Sequence, residues 1–428
     1  MTGLVRYEGS VGATEPRARV PALVLVFFAL ALGMFSSLYV YDSVGPVAEL
    51  LTRQLGYSNT QIGALNAVYS LPNIFLVLAG GVWVDRIGAA AVIFWTSLMC
   101  FLGACLTAMG SVYVFMLLGR FLFGVGAETL VVAILVAVAR WFGRHRPALV
   151  LALVLSFGRV GSYLADRSPT FARTLYDRGW QEPLALAAGV ALLGSLAAGV
   201  FWWLDRRGAR DDALPLARTA QSARRRSLLR FPASYWYAVG LCVTFYGVIF
   251  PFRSTFAIKY FQETRGLSLE EASRMNSYVF MAAIFAMPLF GWLADRRGRH
   301  ALLLVLGSLA LPTAFLLLSR NNISLWLPTA MLGLSFSLVP TVLWPAVPRY
   351  VTGEQCGSAY GLMTMIQNMG LTSGNLFVGW LNERGSASAA NPAGYKAMLW
   401  FFGAMGLLGT ACAFALVLQG RRGADSRE

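Results

Sequence analysis

The chain has 428 residues, of which 57% are hydrophobic and only 13% are charged. Soluble domains carry about 25% charged residues, so this composition excludes an ordinary soluble protein and indicates one embedded in a lipid bilayer. The formal net charge is +15. A nucleic-acid-binding protein would present its basic residues on one solvated face, whereas these arginines lie in short segments between apolar blocks. We therefore expect no nucleic-acid partner.

Twelve apolar blocks follow one another along the chain, each about as long as a helix that crosses the roughly 30 Å hydrocarbon core of a bilayer. The first block is too long for the apolar region of a signal peptide, and no small-residue cleavage site follows it. The sequence therefore predicts an all-α integral membrane protein with twelve transmembrane helices. The predicted spans are residues 20–44, 59–83, 90–109, 111–138, 148–170, 183–204, 234–260, 271–293, 300–318, 324–347, 356–381 and 394–418.

Basic residues are distributed unequally between the two sides of the predicted spans. If both termini are cytoplasmic, the cytoplasmic segments carry the excess of Lys and Arg, as the positive-inside rule requires. The longest polar connection is rich in arginine and separates two sets of six spans. We predict a multi-pass protein of the cell membrane with a cytoplasmic N-terminal segment (1–19), an N-terminal bundle (20–204), a basic cytoplasmic linker (205–233), a C-terminal bundle (234–419) and a cytoplasmic tail (420–428).

The motif Gly-x-x-x-Asp-Arg-x-Gly occurs once in each half, at residues 81–88 and 291–298. This repeat, offset by 210 residues, indicates two pseudo-symmetric six-helix bundles, an arrangement in which transporters bind substrate between the halves. Glycine allows close helix contact, and the Asp carboxylate suits a helix start or an arginine such as Arg140. We predict a gating latch, although a tight turn with a solvated Asp–Arg pair would also fit. Its residues are Gly81, Asp85, Arg86, Gly291, Asp295 and Arg296.

Two opposite charges lie at a similar depth in neighbouring spans, Glu128 in span four and Arg159 in span five. Counted from the loop between these spans, both lie roughly 18–20 Å deep, near the midplane. A charge there is costly and usually functional. Arg159 therefore suits the carboxylate and Glu128 the ammonium group of a zwitterionic solute, and the alternative is an ion pair that joins the two spans. Further candidates for the substrate site are Tyr41, Tyr69, Asn73 and Trp344. Residues of these types also occur as packing residues or in the aromatic belts at the membrane interface.

The repeat also relates two charges near the outer ends of spans one and seven. Adding the offset to Asp42 gives a position one residue from Arg253. We predict that the two residues form an outer gate between the halves, partly wet and contributing about 1 kcal/mol. The alternatives are that Arg253 attracts an anionic substrate or only snorkels. Arg120 in span four is interpreted as structural, bonded to carbonyl groups or a neighbouring helix, and Lys259 is expected to snorkel to the interface.

The chain resembles the major facilitator superfamily from span one to span twelve, and residues 120–126 look like the motif of the family's fourth helix. Within that superfamily it is most similar to the lysosomal dipeptide uniporters and their prokaryotic relatives. The resemblance implies alternating access, with the termini of a dipeptide held at Glu128 and Arg159. The matching stretches include Tyr69–Asn73, Gly126–Ala133, Arg159–Ser162, Phe250–Phe252 and Leu343–Pro345.

The leading hypothesis is a secondary transporter of a small zwitterionic solute, with dipeptides as the first candidate and uniport as the expected mode. An organic-anion or carboxylate transporter is the alternative, favoured by the surplus positive charge of Arg159, Arg253 and Lys259. A non-transporting membrane sensor would need a signalling domain or a large soluble insert, and the sequence shows neither. An enzyme is not expected, because no catalytic motif or metal-ligand spacing is present. We expect no cofactor and no metal, and a monomer whose partners are the solute and the bilayer.

Overall fold

The computed structural model describes residues 19–142, 147–208, 231–297, 300–320, 322–351 and 355–425. Apart from an isolated bridge between Ser388 and Asn391, the regular structure in these ranges is helical. Nine of the described helices are long and apolar enough to cross a membrane. Three further helical segments complete the twelve spans: span two is divided in its middle, span nine is short, and span eleven is rich in polar residues.

The described helices follow the order of the predicted spans and form two six-helix bundles. Spans one to six are Arg19–Asp42 with Val44–Leu55, Asn59–Ser70 with Asn73–Ile87, Ala89–Met109, Tyr113–Phe142, Pro147–Phe171 and Gln181–Gly208, with a short helix at Arg173–Arg178. Spans seven to twelve are Ala233–Phe250 with Pro251–Phe256 and Ala257–Arg265, Leu269–Arg297, His300–Leu318, Trp326–Ala346, Cys356–Arg384 and Lys396–Asp425, with short turns at Val347–Arg349 and Pro392–Tyr395. The domain bounds stay a prediction, because much of the linker lies outside the described ranges.

Three spans are interrupted where the sequence disturbs the helical hydrogen bonds. Span one breaks at Ser43, shortly before Pro46, and then continues to Leu55, beyond its predicted end. Span two breaks at Pro72, which has no N–H to donate. Span seven contains a π-helical turn that begins at Pro251, and such turns occur frequently at functional sites. Each interruption lies next to residues of the candidate site.

The two faces of the helix bundles differ in charge. Even-numbered spans end at the face that carries Arg140, Arg206 and Arg207, which we call the basic face. Two of these arginines lie over tryptophan rings, Arg206 over Trp202 at 4.2 Å and Arg207 over Trp203 at 3.8 Å. Tryptophan and arginine are typical of membrane–water interfaces. The opposite face, where odd-numbered spans end, is called the closed face.

The bundles share one hydrophobic core at the closed face. Val47 and Leu51 near the end of span one and Ile62 near the start of span two belong to the same buried cluster as the core of the C-terminal bundle. Val26 and Leu30, nearer the basic face, belong to a separate cluster within the N-terminal bundle. The interface between the bundles, which we call the seam, is therefore tightly packed at the closed face.

Candidate functional site

Glu128 lies near the middle of span four and is half-buried. Its Oε1 accepts a hydrogen bond of 3.2 Å from the Tyr69 hydroxyl of span two. Gly124, one turn earlier in span four, permits this approach, because a Cβ atom there would overlap the carbonyl oxygen of Tyr69. Among the described residues, no Lys, Arg or His nitrogen lies within 4.0 Å of the Glu128 carboxylate.

Arg159 in span five is also half-buried, and it faces the other bundle. Its guanidinium lies 5.0 Å from the ring centroid of Phe336 in span ten and 5.8 Å from that of Phe280 in span eight, within range of cation–π attraction. In the described part of the chain it makes no ion pair and no hydrogen bond. The ion pair with Glu128 that the sequence left open is therefore not formed in this conformation.

An aromatic cluster connects the two bundles beside these charges. Tyr41 of span one packs against Tyr69 with ring centroids 4.7 Å apart and against Phe250 of span seven at 6.0 Å. Tyr246 stacks on Phe250 at 5.6 Å. The Trp344 indole N–H donates a 2.9 Å hydrogen bond to the Tyr246 hydroxyl. Three residues predicted from the sequence, Tyr41, Tyr69 and Trp344, thus belong to one surface that spans the seam.

The sequence analysis missed Tyr246, Phe280 and Phe336. Tyr246 stacks on Phe250, whose ring also contacts Phe336 at 5.8 Å, so it belongs to the aromatic cluster beside both charges. Tyr246 lies one helical turn before the Phe-Pro-Phe segment of span seven, and this position could have indicated that it shares a helix face with that segment. Phe280 and Phe336 had no such signal, because a phenylalanine in an apolar span is indistinguishable from a packing residue by its type alone.

Asn73 follows the break in span two and is fully buried. Its Nδ2 donates to the carbonyl oxygen of Tyr69 at 3.1 Å, which adds a hydrogen bond where Pro72 has no N–H. Its Oδ1 has no hydrogen-bond partner within the described ranges. The amide therefore supports the helix break, and the contact of Asn73 with a solute stays a prediction.

Arg120 makes the carbonyl contacts expected from its sequence position. The side chain is 1% exposed and donates to the carbonyl oxygens of Val40 at 3.2 Å, Tyr41 at 3.3 Å and Leu65 at 3.3 Å. It also donates to Oδ1 of Asn66. Because Val40 and Tyr41 precede the break in span one, Arg120 supports the interrupted helix together with Ser43, whose hydroxyl also donates to the Val40 carbonyl oxygen at 2.8 Å.

A chain of buried polar groups continues from Arg120 across the seam. Asn66 Nδ2 donates to Thr255 Oγ1 of span seven at 2.8 Å and to the carbonyl oxygen of Ser254 at 3.2 Å. Thr255 Oγ1 donates in turn to Asn375 Oδ1 of span eleven at 2.7 Å. Three spans are thereby linked at the closed face, and the two hydrogen bonds of Asn66, which cross the seam, must break if the bundles separate there.

Asp42 and Arg253 are in contact across the seam. Arg253 Nη1 lies 3.0 Å from Asp42 Oδ1, and each side chain is 1% exposed. The expectation of a partly wet pair was wrong, because packing of both bundles excludes solvent from this position. The sequence analysis also missed Asp166 of span five, whose Oδ2 lies 2.8 Å from Arg253 Nη2. Asn276 Nδ2 donates to the same Asp166 oxygen at 3.1 Å, so one guanidinium is shared by two carboxylates.

Lys259 does not snorkel to the interface as predicted. The side chain is 1% exposed, and Nζ donates to Thr52 Oγ1 at 2.9 Å and to Asn59 Oδ1 at 2.8 Å. Glu263 Oε1 lies 3.9 Å from the same nitrogen. Lys259 is buried because span one extends to Leu55 and covers this part of span seven. Lys259 is therefore a third buried contact across the seam at the closed face.

The repeated motif lies at the basic face, and the side chains of Asp85 and Asp295 are outside the described residues. Arg86 is exposed, and Arg296 lies over the Trp292 ring at 5.1 Å. The backbone of Gly81 is helical in span two. A Cβ atom at Gly291 would make only an ordinary contact of 3.6 Å with Thr341. The described Arg140 pairs with Asp205 at 3.7 Å, and the latch itself stays a prediction.

Comparison with known proteins identifies the family of this chain. The model of the Major Facilitator Superfamily matches residues 30–374 and 254–427. The chain belongs to this superfamily. A lysosomal dipeptide transporter from Danio rerio is 30% identical over 83% of this chain and 80% of its own length, and one from Homo sapiens is 28% identical over 88% and 84%. A probable sulfoacetate transporter from Cupriavidus necator is 24% identical over 86% and 89%.

Solved structures of other transporters share the fold of this superfamily member. A point mutant of the nucleoside transporter NupG superposes with a TM-score of 0.75 at 13% identity, covering 91% of this chain and 99% of its own. A bacterial homologue of the human lysosomal transporter Spinster, inward-facing and unoccupied, gives 0.72 at 15% identity, covering 94% and 97%. The major facilitator fold predicted from the sequence is confirmed, with the seam between its two bundles.

Proposed function

We propose that this superfamily member is a secondary transporter that moves a small zwitterionic solute, with dipeptides as its substrate class, through the seam by alternating access. The proposal depends on one observation: Glu128 and Arg159 are charges of opposite sign, both half-buried, and within the described ranges neither has an oppositely charged partner at contact distance. The basic face is assigned to the cytoplasm of the cell membrane by the positive-inside rule.

The physical argument concerns uncompensated charge. An unpaired charge away from bulk water costs several kcal/mol unless a partner or water neutralises it. A solute with an ammonium group and a carboxylate supplies both partners at once: the ammonium group compensates Glu128 and the carboxylate compensates Arg159. The aromatic surface formed by Tyr41, Tyr69 and Trp344 offers apolar contact for the part of the solute between its two charges.

The same charges argue against the carboxylate-transporter alternative. That alternative hypothesis requires Arg253 and Lys259 to be available as surplus positive charges that attract an anion. Arg253 is already bonded to two carboxylates, and Lys259 is bonded across the closed seam. Arg159 is then balanced by Glu128, which favours a zwitterion over an anion. The dipeptide transporters among the relatives support the same substrate class.

Ligand-dependent thermal stability tests the proposal with chemically matched compounds. The melting temperature of the purified protein is measured with four compounds in turn. They are a free dipeptide, its N-acetyl form without the ammonium group, its C-terminal amide without the carboxylate, and sulfoacetate. Saturation at about 100 times Kd stabilises a native protein by about 2.7 kcal/mol. We expect stabilisation by the free dipeptide alone. Stabilisation by sulfoacetate without any by dipeptides would establish the anion alternative instead.

Two variants assign the charges to the ends of the solute. Glu128→Gln is expected to lose the preference for a free ammonium group, and Arg159→Ala the preference for a free carboxylate. Both are expected to abolish uptake into proteoliposomes while folded protein remains in the membrane. The exposed residues Glu182 and Arg178 provide the controls Glu182→Gln and Arg178→Ala, which should behave as wild type. Near-normal uptake by either site variant would contradict the substrate role.

The conformational part of the proposal concerns the two faces. The contact of Asp42 with Arg253 acts as the outer gate, broken when the closed face opens to the outside. The two Gly-x-x-x-Asp-Arg-x-Gly segments act as the corresponding latch at the basic face. A charge swap tests the gate: Asp42→Arg combined with Arg253→Asp should restore the balance of conformations that either single change disturbs. A double variant no better than the single ones would remove the gate from the proposal.

A further inference from the structure

The closed face buries one guanidinium between two carboxylates. Arg253 contacts Asp42 Oδ1 at 3.0 Å and Asp166 Oδ2 at 2.8 Å, and all three side chains are 1% exposed. The ring of Phe280 covers the guanidinium, with its centroid 3.5 Å from Arg253 Cζ. The three side chains together carry two formal negative charges and one positive charge, and all of them are shielded from solvent.

The second negative charge has no cation of its own among the described residues. Asn276 is a neutral donor to Asp166, and the Oδ2 of Asp42 has no hydrogen-bond partner. Within the described ranges neither Arg120 nor Arg159 lies at ion-pair distance from Asp42 or Asp166. The donors of Arg120 are taken up by carbonyl and amide oxygens, as described above. The other titratable groups near the carboxylates are the phenols of Tyr41, beside Asp42, and Tyr176, beside Asp166, and a phenol is neutral near pH 7.

We propose that Asp42 and Asp166 together bind one proton whenever the closed face is shut. Two carboxylates that share one buried site resist being ionised together, and an unpaired buried charge is costly. One proton leaves one carboxylate to pair with Arg253 and makes the group neutral. The site is a proton-binding site built by both bundles, and it adjoins Arg159, because the Phe280 ring lies near both guanidinium groups.

The position of the site determines the direction of its pH dependence. Asp42 and Asp166 belong to the N-terminal bundle, whereas Arg253 and Asn276 belong to the C-terminal bundle. Opening the face admits water, which solvates both ionised carboxylates and releases the proton. The closed form therefore binds one proton more than the open form, and acid favours closure by up to about tenfold in the closed-to-open ratio per pH unit. This inference rests on the proposed gate and is independent of the substrate.

Distance measurement between spin labels tests the inference without any solute. Cysteines replace Arg53 in span one and Arg274 in span eight, both exposed near the closed face, and the labelled protein is studied in lipid nanodiscs between about pH 5 and pH 8. The five native cysteines are buried or half-buried, and protein without the introduced pair gives their background. We expect the short-distance population to grow as the pH falls. A pH-independent distribution, or opening in acid, would overturn the inference.

Two variants separate the proton from the gate. Asp42→Asn and Asp166→Asn each leave one carboxylate for one guanidinium, so both are expected to lose the pH dependence, whereas the exposed control Asp177→Asn should keep it. Infrared spectroscopy at neutral pH gives a second readout: the carbonyl stretch of a protonated carboxyl group should be present in the wild type and absent from either variant. Retained pH dependence in both variants, or no such band in the wild type, would refute the site. Arg253→Gln should open the face at every pH, and failure to do so would refute the gate itself.

Discussion

Gly379 of span eleven lies where the backbones of the two bundles are in close contact. A Cβ atom at this position would lie 2.7 Å from the carbonyl oxygen of Asn59 and 2.9 Å from Cα of Thr60, both at the start of span two. Ordinary van der Waals contact begins at 3.4 Å, so Gly379→Ala requires the backbones to separate by about 0.7 Å. The obstructing atoms belong to the other bundle, and the strain therefore falls on the closed conformation alone.

The magnitude follows from the cost of overpacking. An added methyl group in a well-packed contact costs about 1–3 kcal/mol. Alanine also stabilises a helix relative to glycine by up to about 1 kcal/mol, but span eleven is taken to stay helical in both conformations, so this gain cancels. We therefore expect Gly379→Ala to lower the closed-to-open ratio by roughly 5- to 150-fold.

The spin-label pair at positions 53 and 274 measures this shift directly. Gly403→Ala in span twelve is the matched control, because no atom lies within 4 Å of a Cβ built there and the helix gains the same propensity. The Gly379→Ala protein should populate the long-distance form at a pH where the control remains closed. Identical distance distributions for the two alanine variants would refute the reasoning about the seam.

Three further substitutions have expected outcomes. A lysine in Arg120→Lys cannot donate to all four acceptors of the guanidinium, so we expect the free energy of unfolding to fall by about 1–3 kcal/mol. Thermal unfolding followed by tryptophan fluorescence should show a lower melting temperature, and an unchanged melting curve would contradict the structural role of Arg120. Lys259→Met leaves Asn59 Oδ1 without its donor at the seam and should lower the closed-to-open ratio in the spin-label assay. A ratio at or above that of the wild type would show that the cost of burying the ammonium group exceeds the stabilisation from its hydrogen bonds. Trp344→Phe removes the donor to Tyr246 and should weaken dipeptide stabilisation without altering the melting of the free protein, and the reverse pattern would make Trp344 a packing residue.

The spans and their order were predictable because the bilayer imposes local rules. A segment that crosses hydrocarbon must satisfy its own backbone hydrogen bonds, so a sufficiently long apolar block is a helix whatever packs against it. The internal repeat added the division into two bundles, and its offset related Asp42 to Arg253 before any coordinates were considered. Symmetry converts a sequence offset into a spatial relation, which explains why a contact between residues 211 positions apart was predictable.

The sequence did not reveal the surroundings of individual side chains. Asp166 and Tyr246 lie in spans whose depth could be counted, but their partners come from other spans, and the direction in which a side chain points depends on how the helices pack. Lys259 shows the same limit: its type predicts snorkelling, and only the neighbouring end of span one makes it a buried donor.

The chain alone therefore determined the number of spans, their order and the pseudo-symmetry of the bundles, since each follows from helix rise, apolar length and repetition, and it predicted a similar depth for Glu128 and Arg159. The tertiary structure alone decided that Arg253 is shared by two carboxylates, that Arg120 satisfies the break in span one, and that no ion pair joins Glu128 to Arg159 in the described conformation. These are contacts between distant segments, and their distances depend on the packing of all the helices that separate them.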